Sequence, residues 1–373
     1  MSTLPPQAYA AALAGLERMT ISRLRVLLSH CSPEEAFAIA GGHAAPFGLI
    51  AHLFDIDGLA RAWAASAADR SPEKVWEQCV ASGISVVVRG GDGYPAILAN
   101  DPSPPPVLFV RGNLGALTGR RAGIVGTRNA TGSGRETSTM LGRDLAAEGV
   151  HVVSGLARGI DGCAHRGALS VPDGAGPIAV VASGLDVIYP PEHASLWHGV
   201  AERGAVVSEA PPGASPEAYR FPLRNRILAA LSEVLVVVES RERGGSLITV
   251  EEARVRDILV MAVPGALRNR AAEGTNNLVR DGCPIVTDRR DVLMALGLDT
   301  SRAGGVAYDP RPRPSAADRE LLELCAEART LDQLVLLSGK TLVDCAMAMA
   351  RLEASGWVYQ VNGWFERGQA HHA

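Results

Sequence analysis

The sequence predicts an α/β fold, a doubly wound and mainly parallel sheet wrapped by helices. Three features predict it. From residue 84 to 288, short apolar runs alternate with glycine-punctuated stretches of helical character. Most of the runs are rich in Val and Ile and apolar on both faces, as strands are when helices cover a sheet from either side. The stretches between them are long enough to be crossover helices.

In chain order, strands are predicted at 84–88, 107–110, 122–125, 151–153, 178–182, 205–207, 234–238 and 258–263, with crossover helices at 133–148, 190–202, 222–231 and 246–256. Residues 8–70 read as helices. Apolar residues recur at helical spacing across 9–28, and Ser32-Pro33-Glu34-Glu35 is a capped start with proline at the first helical position. The segment 59–68 is Ala-rich and similar. Residues 299–315 are rich in Pro and Gly without periodicity, the pattern of a linker. Beyond it, helices are expected at 317–326, from 330 and at 341–355, then two strands within 357–365 around the turn dipeptide Asn362-Gly363. Three short helices and a hairpin describe a winged helix. The expected domains are 1–70 (helical), 71–298 (α/β), a linker at 299–315, and 316–373 (winged helix).

Composition narrows the function. The 373 residues suffice for two or three domains, and 47% hydrophobic with 20% charged residues is too apolar for a disordered chain. Apolar runs such as 258–263 fall far short of the roughly 18 residues that span a bilayer. Residues 1–20 show no basic start followed by an apolar stretch, so neither a membrane span nor a secretory signal is expected. Six cysteines without a C-x-x-C argue against a zinc ribbon or a disulfide scaffold and fit a reducing cytoplasm. The net charge of −4 argues against a uniformly basic coat, yet residues 111–170 hold eight Arg against four Asp and Glu. Lys74 and Lys340 are the only lysines beside 34 arginines, so a single Arg means little and its position must decide.

Four loops have the chemistry of phosphate sites. The strand at 122–125 runs into Gly126-Thr127-Arg128-Asn129 ahead of a helix, where a tight turn aims amides outward at the positive helix end and Arg128 offers a guanidinium fork. The next strand repeats the arrangement in Ser154-Gly155-Leu156-Ala157-Arg158-Gly159-Ile160-Asp161. Both loops leave the same sheet edge, so Arg128 and Arg158 are expected to flank one crevice. In Phe221-Pro222-Leu223-Arg224-Asn225-Arg226, cations in a helix's first turn oppose its dipole and imply a compensating anion, with solvated surface arginines as the alternative. Arg243-Gly244-Gly245-Ser246 opens a further helix with amides and a hydroxyl, or is a plain capped turn.

Other chemistries find little support. Gly132-Ser-Gly-Arg-Glu-Thr lacks the last glycine of G-x-G-x-x-G, and Val152-Val153 is followed by Ser154 rather than an acid, so a dinucleotide site is not indicated. Asp161 and His165, at i and i+4, have no obvious third ligand and are expected to be a cap and a helix-surface pair, not a metal site. No P-loop, H-E-x-x-H or G-x-S-x-G occurs, and Glu251-Glu252 occupy neighbouring helix positions that do not face each other. The pattern is that of a surface that holds a phosphodiester chain without cutting it.

These residues carry a family resemblance. Gly126-Thr-Arg-Asn, Ser154-Gly-Leu-Ala-Arg-Gly-Ile-Asp, Gly184-Leu-Asp-Val-Ile-Tyr-Pro, Ser208-Glu-Ala-Pro-Pro-Gly, Phe221-Pro-Leu-Arg-Asn-Arg-Ile and Gly245-Ser-Leu-Ile-Thr resemble the DNA-processing protein A (DprA/Smf) family in order and spacing. The resemblance implies a Rossmann-like core with an N-terminal SAM-like, helix-hairpin-helix-like domain and a C-terminal winged helix. It implies a cytoplasmic, non-catalytic protein without cofactor or metal. Such a protein binds and protects incoming single-stranded DNA in natural transformation (competence), helps load the recombinase RecA, and acts as a homodimer. Its DNA-contacting positions would be Gly126, Thr127, Arg128, Asn129, Ser154, Gly155, Arg158, Gly159, Arg224, Asn225, Arg226, Gly244, Gly245 and Ser246. Where many members carry a Gly-rich helix–hairpin–helix signature, this chain reads Leu16-Glu-Arg-Met-Thr-Ile-Ser. An enzymatic alternative is a LOG-like phosphoribohydrolase acting on nucleoside monophosphates, whose Gly-rich loop is echoed by Gly244-Gly245-Ser246-Leu247 with Glu251 and Glu252 downstream.

Overall fold

The computed structural model describes residues 4–298 and 314–368. The chain divides into two compact units, Met1–Asp299 and Thr300–Ala373. Of the expected linker, residues 299–313 lie outside the described residues.

The first unit opens with six helices: α1 (Pro6–Ala14), α2 (Ile21–His30), α3 (Pro33–Ala40), α4 (Gly48–Phe54), α5 (Leu59–Asp69) and α6 (Pro72–Ala81). The apolar spacing across 9–28 is divided between α1 and α2. The chain breaks where Arg18 takes a φ of 58°, and Thr20 restarts the helix by accepting from the Arg23 amide. Ser32 caps α3 in the same way, as Ser-Pro-Glu-Glu predicts. Leu13, Leu27, Ile39 and Trp63 of these helices share one core with Val86, Phe109 and Val206 of the sheet.

The sheet is built from β1 (Ser85–Val88), a short helix α7 (Ala96–Ala99), β2 (Val107–Gly112), β3 (Arg121–Val125), α8 (Gly132–Ala147), β4 (His151–Ser154), α9 (Ile160–Leu169), β5 (Ile178–Val180), α10 (Ala194–Arg203), β6 (Ala205–Ser208), α11 (Arg220–Leu231), β7 (Val234–Val237), α12 (Ser246–Arg254) and β8 (Leu259–Ala262). The helices α13 (Glu273–Arg280) and α14 (Arg289–Ala295) follow. The strand order is β1-β2-β6-β5-β4-β3-β7-β8. Strands β3 to β8 pair in parallel, and β1 and β2 extend the β6 edge antiparallel. Alternation along the strands divides the core as two-sided burial requires: Val234 and Val236 of β7 face one cluster with α8, α9 and α14, Leu235 and Val237 the other with α11 and α12. All eight predicted strands are present, and their doubly wound order is Rossmann-like.

Helices α8 and α9 touch backbone to backbone. A Cβ at Gly142 would strike the Ala164 carbonyl oxygen, and one at Gly167 the Thr139 carbonyl oxygen. Only glycine permits that approach.

The second unit runs α15 (Ala316–Leu324), β9 (Arg329–Thr330), α16 (Leu331–Ser338), α17 (Leu342–Ala354), β10 (Val358–Val361) and β11 (Trp364–Arg367), with a sheet in the order β10-β11-β9. The hairpin turns at Asn362 and Gly363, with φ of 50° and 85°, as an Asn-Gly dipeptide predicts. Strand β9 was not expected, because two residues are too few to show a period. Among the described residues no single helix is long and apolar enough to cross a membrane.

Candidate functional site

At the carboxyl ends of β3, β4 and β5 lies a crevice whose lining includes Arg128, Gly155, Arg158, Tyr189, Phe221 and Arg224. Arg128 and Arg158 come from the loops after β3 and β4 and Arg224 from within α11, so the fold does bring the three to one crevice. They differ in setting. Arg128 is exposed, with its guanidinium carbon 5.1 Å from the Phe221 ring centroid, a cation–π contact that holds the fork at the mouth. Arg158 is also exposed and is ion-paired with Glu192, whose carboxylate raises the pKa of the guanidinium and is itself held below the usual carboxylate range. Any phosphate at Arg158 must displace or share that partner.

Arg224 forms the floor. Its side chain is buried, donates to the Val180 carbonyl, and packs so tightly on the chain at Gly155 that any Cβ there would collide with the guanidinium. Burial pushes its pKa down to about 10, partly opposed by the nearby Asp161 carboxylate, so it remains a cation at neutral pH. Asp161 is buried as well, and its Oδ2 accepts from the Gly155 amide at 3.2 Å. Desolvation raises its pKa, against the pull of Arg224.

The expected surface pair on α9 is therefore corrected, since both Asp161 and His165 are buried. The signal lay in the neighbours: Gly162, Cys163, Ala164, Gly167 and Ala168 make α9 small enough to sit inside the structure on nearly every side. His165 lies beside the Ser154 backbone without a hydrogen bond of normal geometry, and burial depresses its pKa to about 3. An unfolded histidine takes up its proton near 6.5, so the folded state is favoured above that pH and loses stability as pH falls from there toward 3. Between pH 7 and 5 this group should withdraw about 2 kcal/mol. Denaturant midpoints at the two pH values check it, and His165→Gln should remove that part of the acid sensitivity.

The backbone amides assigned to phosphate are engaged within the protein. Thr127 N–H donates to the Glu239 carbonyl at 2.7 Å, Asn129 N–H to Thr127 Oγ1 at 3.3 Å, and Gly155 N–H to Asp161. Ser154 is fully buried and its hydroxyl donates to the Ile124 carbonyl at 2.6 Å. Gly126 and Gly159 pack loop 126–129 against the start of α9. The positive end of α8 is not open either. The buried Glu239 carboxylate accepts there from the Thr131 amide at 2.9 Å and hydroxyl at 2.6 Å. This end of α8 flanks β3 and β7, the switch point where an open α/β sheet usually takes its ligand. With an internal acid seated there, the crevice is displaced over β4 and β5.

Two further expectations change. Helix α11 begins at Arg220, so Arg224 and Arg226 are not in its first turn and both turn inward. Arg226 pairs with the largely buried Glu209 and does not line the crevice. Asn225, Gly244, Gly245 and Ser246 do not line it either, and the Ser246 hydroxyl donates to Ser240 Oγ at 2.9 Å. The sequence reading placed Phe221 at the third loop but missed Tyr189; the two rings meet edge to face with centroids 5.9 Å apart beside Arg128. The Ile-Tyr-Pro and Phe-Pro of the quoted motifs carried that signal. Among the described residues no cluster of His, Cys, Asp and Glu could hold a metal ion.

A doubly wound sheet whose carboxyl edge gathers three guanidiniums beside two aromatic rings defines a Rossmann-like protein with a cationic crevice. Residues 85–297 match the family model described as DNA recombination-mediator protein A, and the chain belongs to that family. It is 38% identical over 215 residues to the DNA processing protein DprA of Bacillus subtilis (strain 168), covering 57% of this chain and 72% of that protein. The X-ray structure of DNA processing protein A from Streptococcus pneumoniae superposes with a TM-score of 0.65 at 29% identity, covering 79% of this chain and 98% of that one. A DNA processing protein A from Helicobacter pylori, described with a unique single-stranded DNA binding mode, gives a TM-score of 0.52 at 27% identity over 58% of this chain and 96% of its own.

Proposed function

We propose that the chain is a non-catalytic single-stranded DNA-binding protein of the cytoplasm, protecting incoming strands and handing them to the recombinase RecA in natural transformation and recombination. The observation that carries it is the gathering of Arg128, Arg158 and Arg224 on one crevice with Phe221 and Tyr189. Guanidiniums grip phosphates, while the exposed Tyr189 ring offers a stacking face that accepts any base. Kinship with a recombination mediator and with a single-stranded-DNA-binding relative supports both halves of the reading. Exposed Val255, Leu259, Leu267 and Ile285 on and near the edge strand β8 support a homodimer. The order α15-β9-α16-α17-β10-β11 supports a winged helix at 316–373; its Arg351 is tied to Asp318, which favours protein contact over groove reading.

No observation favours the phosphoribohydrolase alternative: Glu251 pairs with Arg254 and Glu252 with Arg256. Titrating single- and double-stranded oligonucleotides by fluorescence anisotropy across salt tests the proposal. The single strand should bind more tightly, with a salt slope of about −0.7 per neutralised phosphate. Glu192→Gln, which frees Arg158, should tighten binding by up to about fivefold. Equal affinity for duplex, or no dependence on salt, overturns the reading.

A further inference from the structure

Beside the crevice, and sharing Val181, Ala182 and Arg224 with it, is a larger cleft of about 880 Å³ between the α1–α2 turn and the start of α11. Its volume lies toward the upper end of the ~300–1,000 Å³ range of ligand pockets. Seven arginines and two glutamates line it, in a chain whose net charge is −4. Four of them, Arg25, Arg70, Arg220 and Arg224, each bury an Nε–H that has no hydrogen-bond partner. A buried donor without an acceptor is costly, and native structures rarely keep four around one space unless something completes them.

These side chains are held in place by their other atoms. Arg25 Nη2 donates to Ser103 Oγ at 3.1 Å, Arg70 Nη2 donates to the Pro212 carbonyl at 3.0 Å, and the Arg220 guanidinium carbon stands 5.2 Å from the Tyr219 ring centroid. Fixed cations aimed at one space are the arrangement that recognises a polyanion. Glu209 adds a buried Oε1 with no partner, an acceptor suited to the exocyclic amino group of a base.

We propose that this cleft continues the DNA path. The phosphodiester chain gripped at Arg128 and Arg158 runs past Arg224 beneath the α1–α2 turn, where Arg25, Arg70 and Arg220 take its next phosphates. This rests on the single-stranded DNA reading above. Continuity with the crevice favours a chain over a lone nucleotide, because Arg224 belongs to both walls.

The test compares a thymidine oligomer of about six nucleotides with one of about twenty, a range that brackets usual single-strand site sizes. The full-length wild type should bind the longer oligomer more tightly and with a steeper salt dependence. The double variant Arg25→Gln/Arg70→Gln should keep the short-oligomer affinity, lose about tenfold or more on the long one, and flatten its salt slope by about 1.4. Should that variant fail to fold, Arg23→Glu at the rim of the cleft carries the same expectation. A variant that loses nothing on the long oligomer, or loses equally on both, overturns the cleft while leaving the crevice intact. Failure of the wild type to bind either oligomer overturns both readings.

Discussion

Replacing Arg226 with methionine is expected to destabilise the protein by about 3–5 kcal/mol, the cost of leaving one member of a buried ion pair behind. Glu209, its partner, keeps 14% of its side chain exposed, and desolvation already raises its carboxyl above the ordinary value despite Arg226. Without the guanidinium that carboxyl rises further. An acid whose folded pKa exceeds its unfolded one loses stability as pH climbs past the unfolded value, near 4.3. Urea midpoints should therefore show a larger deficit at pH 8 than at pH 5. Arg226→Met/Glu209→Leu, which removes both charges, should regain most of the loss. A single variant as stable as wild type at both pH values would show that Arg226 is a surface cation after all.

Arg128→Ala is expected to weaken binding of single-stranded DNA by about 2 kcal/mol, about thirtyfold, the loss typical of a charge-assisted hydrogen bond. No other crevice arginine is both exposed and without an ion-pair partner: Arg158 is paired with Glu192, and Arg224 is buried. Arg128→Lys should recover only part of the loss, because an ammonium keeps the charge but not the planar fork above Phe221. Anisotropy titrations with protein of verified fold measure both. Unchanged affinity in Arg128→Ala sinks the crevice assignment.

The central strands were readable because runs such as β6 and β7 are short, Val-rich and buried on both faces, and such runs have few other uses. The convergence of Arg128 and Arg158 followed from the same logic, since loops after parallel strands leave one edge. The fate of the loop amides did not follow. Glu239 reaches Thr131 from 108 positions along the chain, and nothing local announces that the positive end of α8 is already satisfied. Arg224 and Arg226 show the same limit. Both are arginines in one short motif, yet one floors the crevice and the other is bound to Glu209, because distant acids decide. The cleft beneath the α1–α2 turn is hardest of all to read, as Arg25, Arg70 and Arg220 meet only once the helices have packed on the sheet.

The glycine contacts between α8 and α9 bear on how a ligand is chosen. The loops carrying Arg128 and Arg158 precede those two helices directly, so helices seated carbonyl on Cα set the gap between the two cations in advance. The protein is then a calliper with a locked opening, and its guest must do the bending. A chain with free torsions at every nucleotide can bend to fit, whereas a double helix with a persistence length of about 50 nm resists. In the proposed function, preference for one strand over two would come from stiffness, with the identity of the bases left unread.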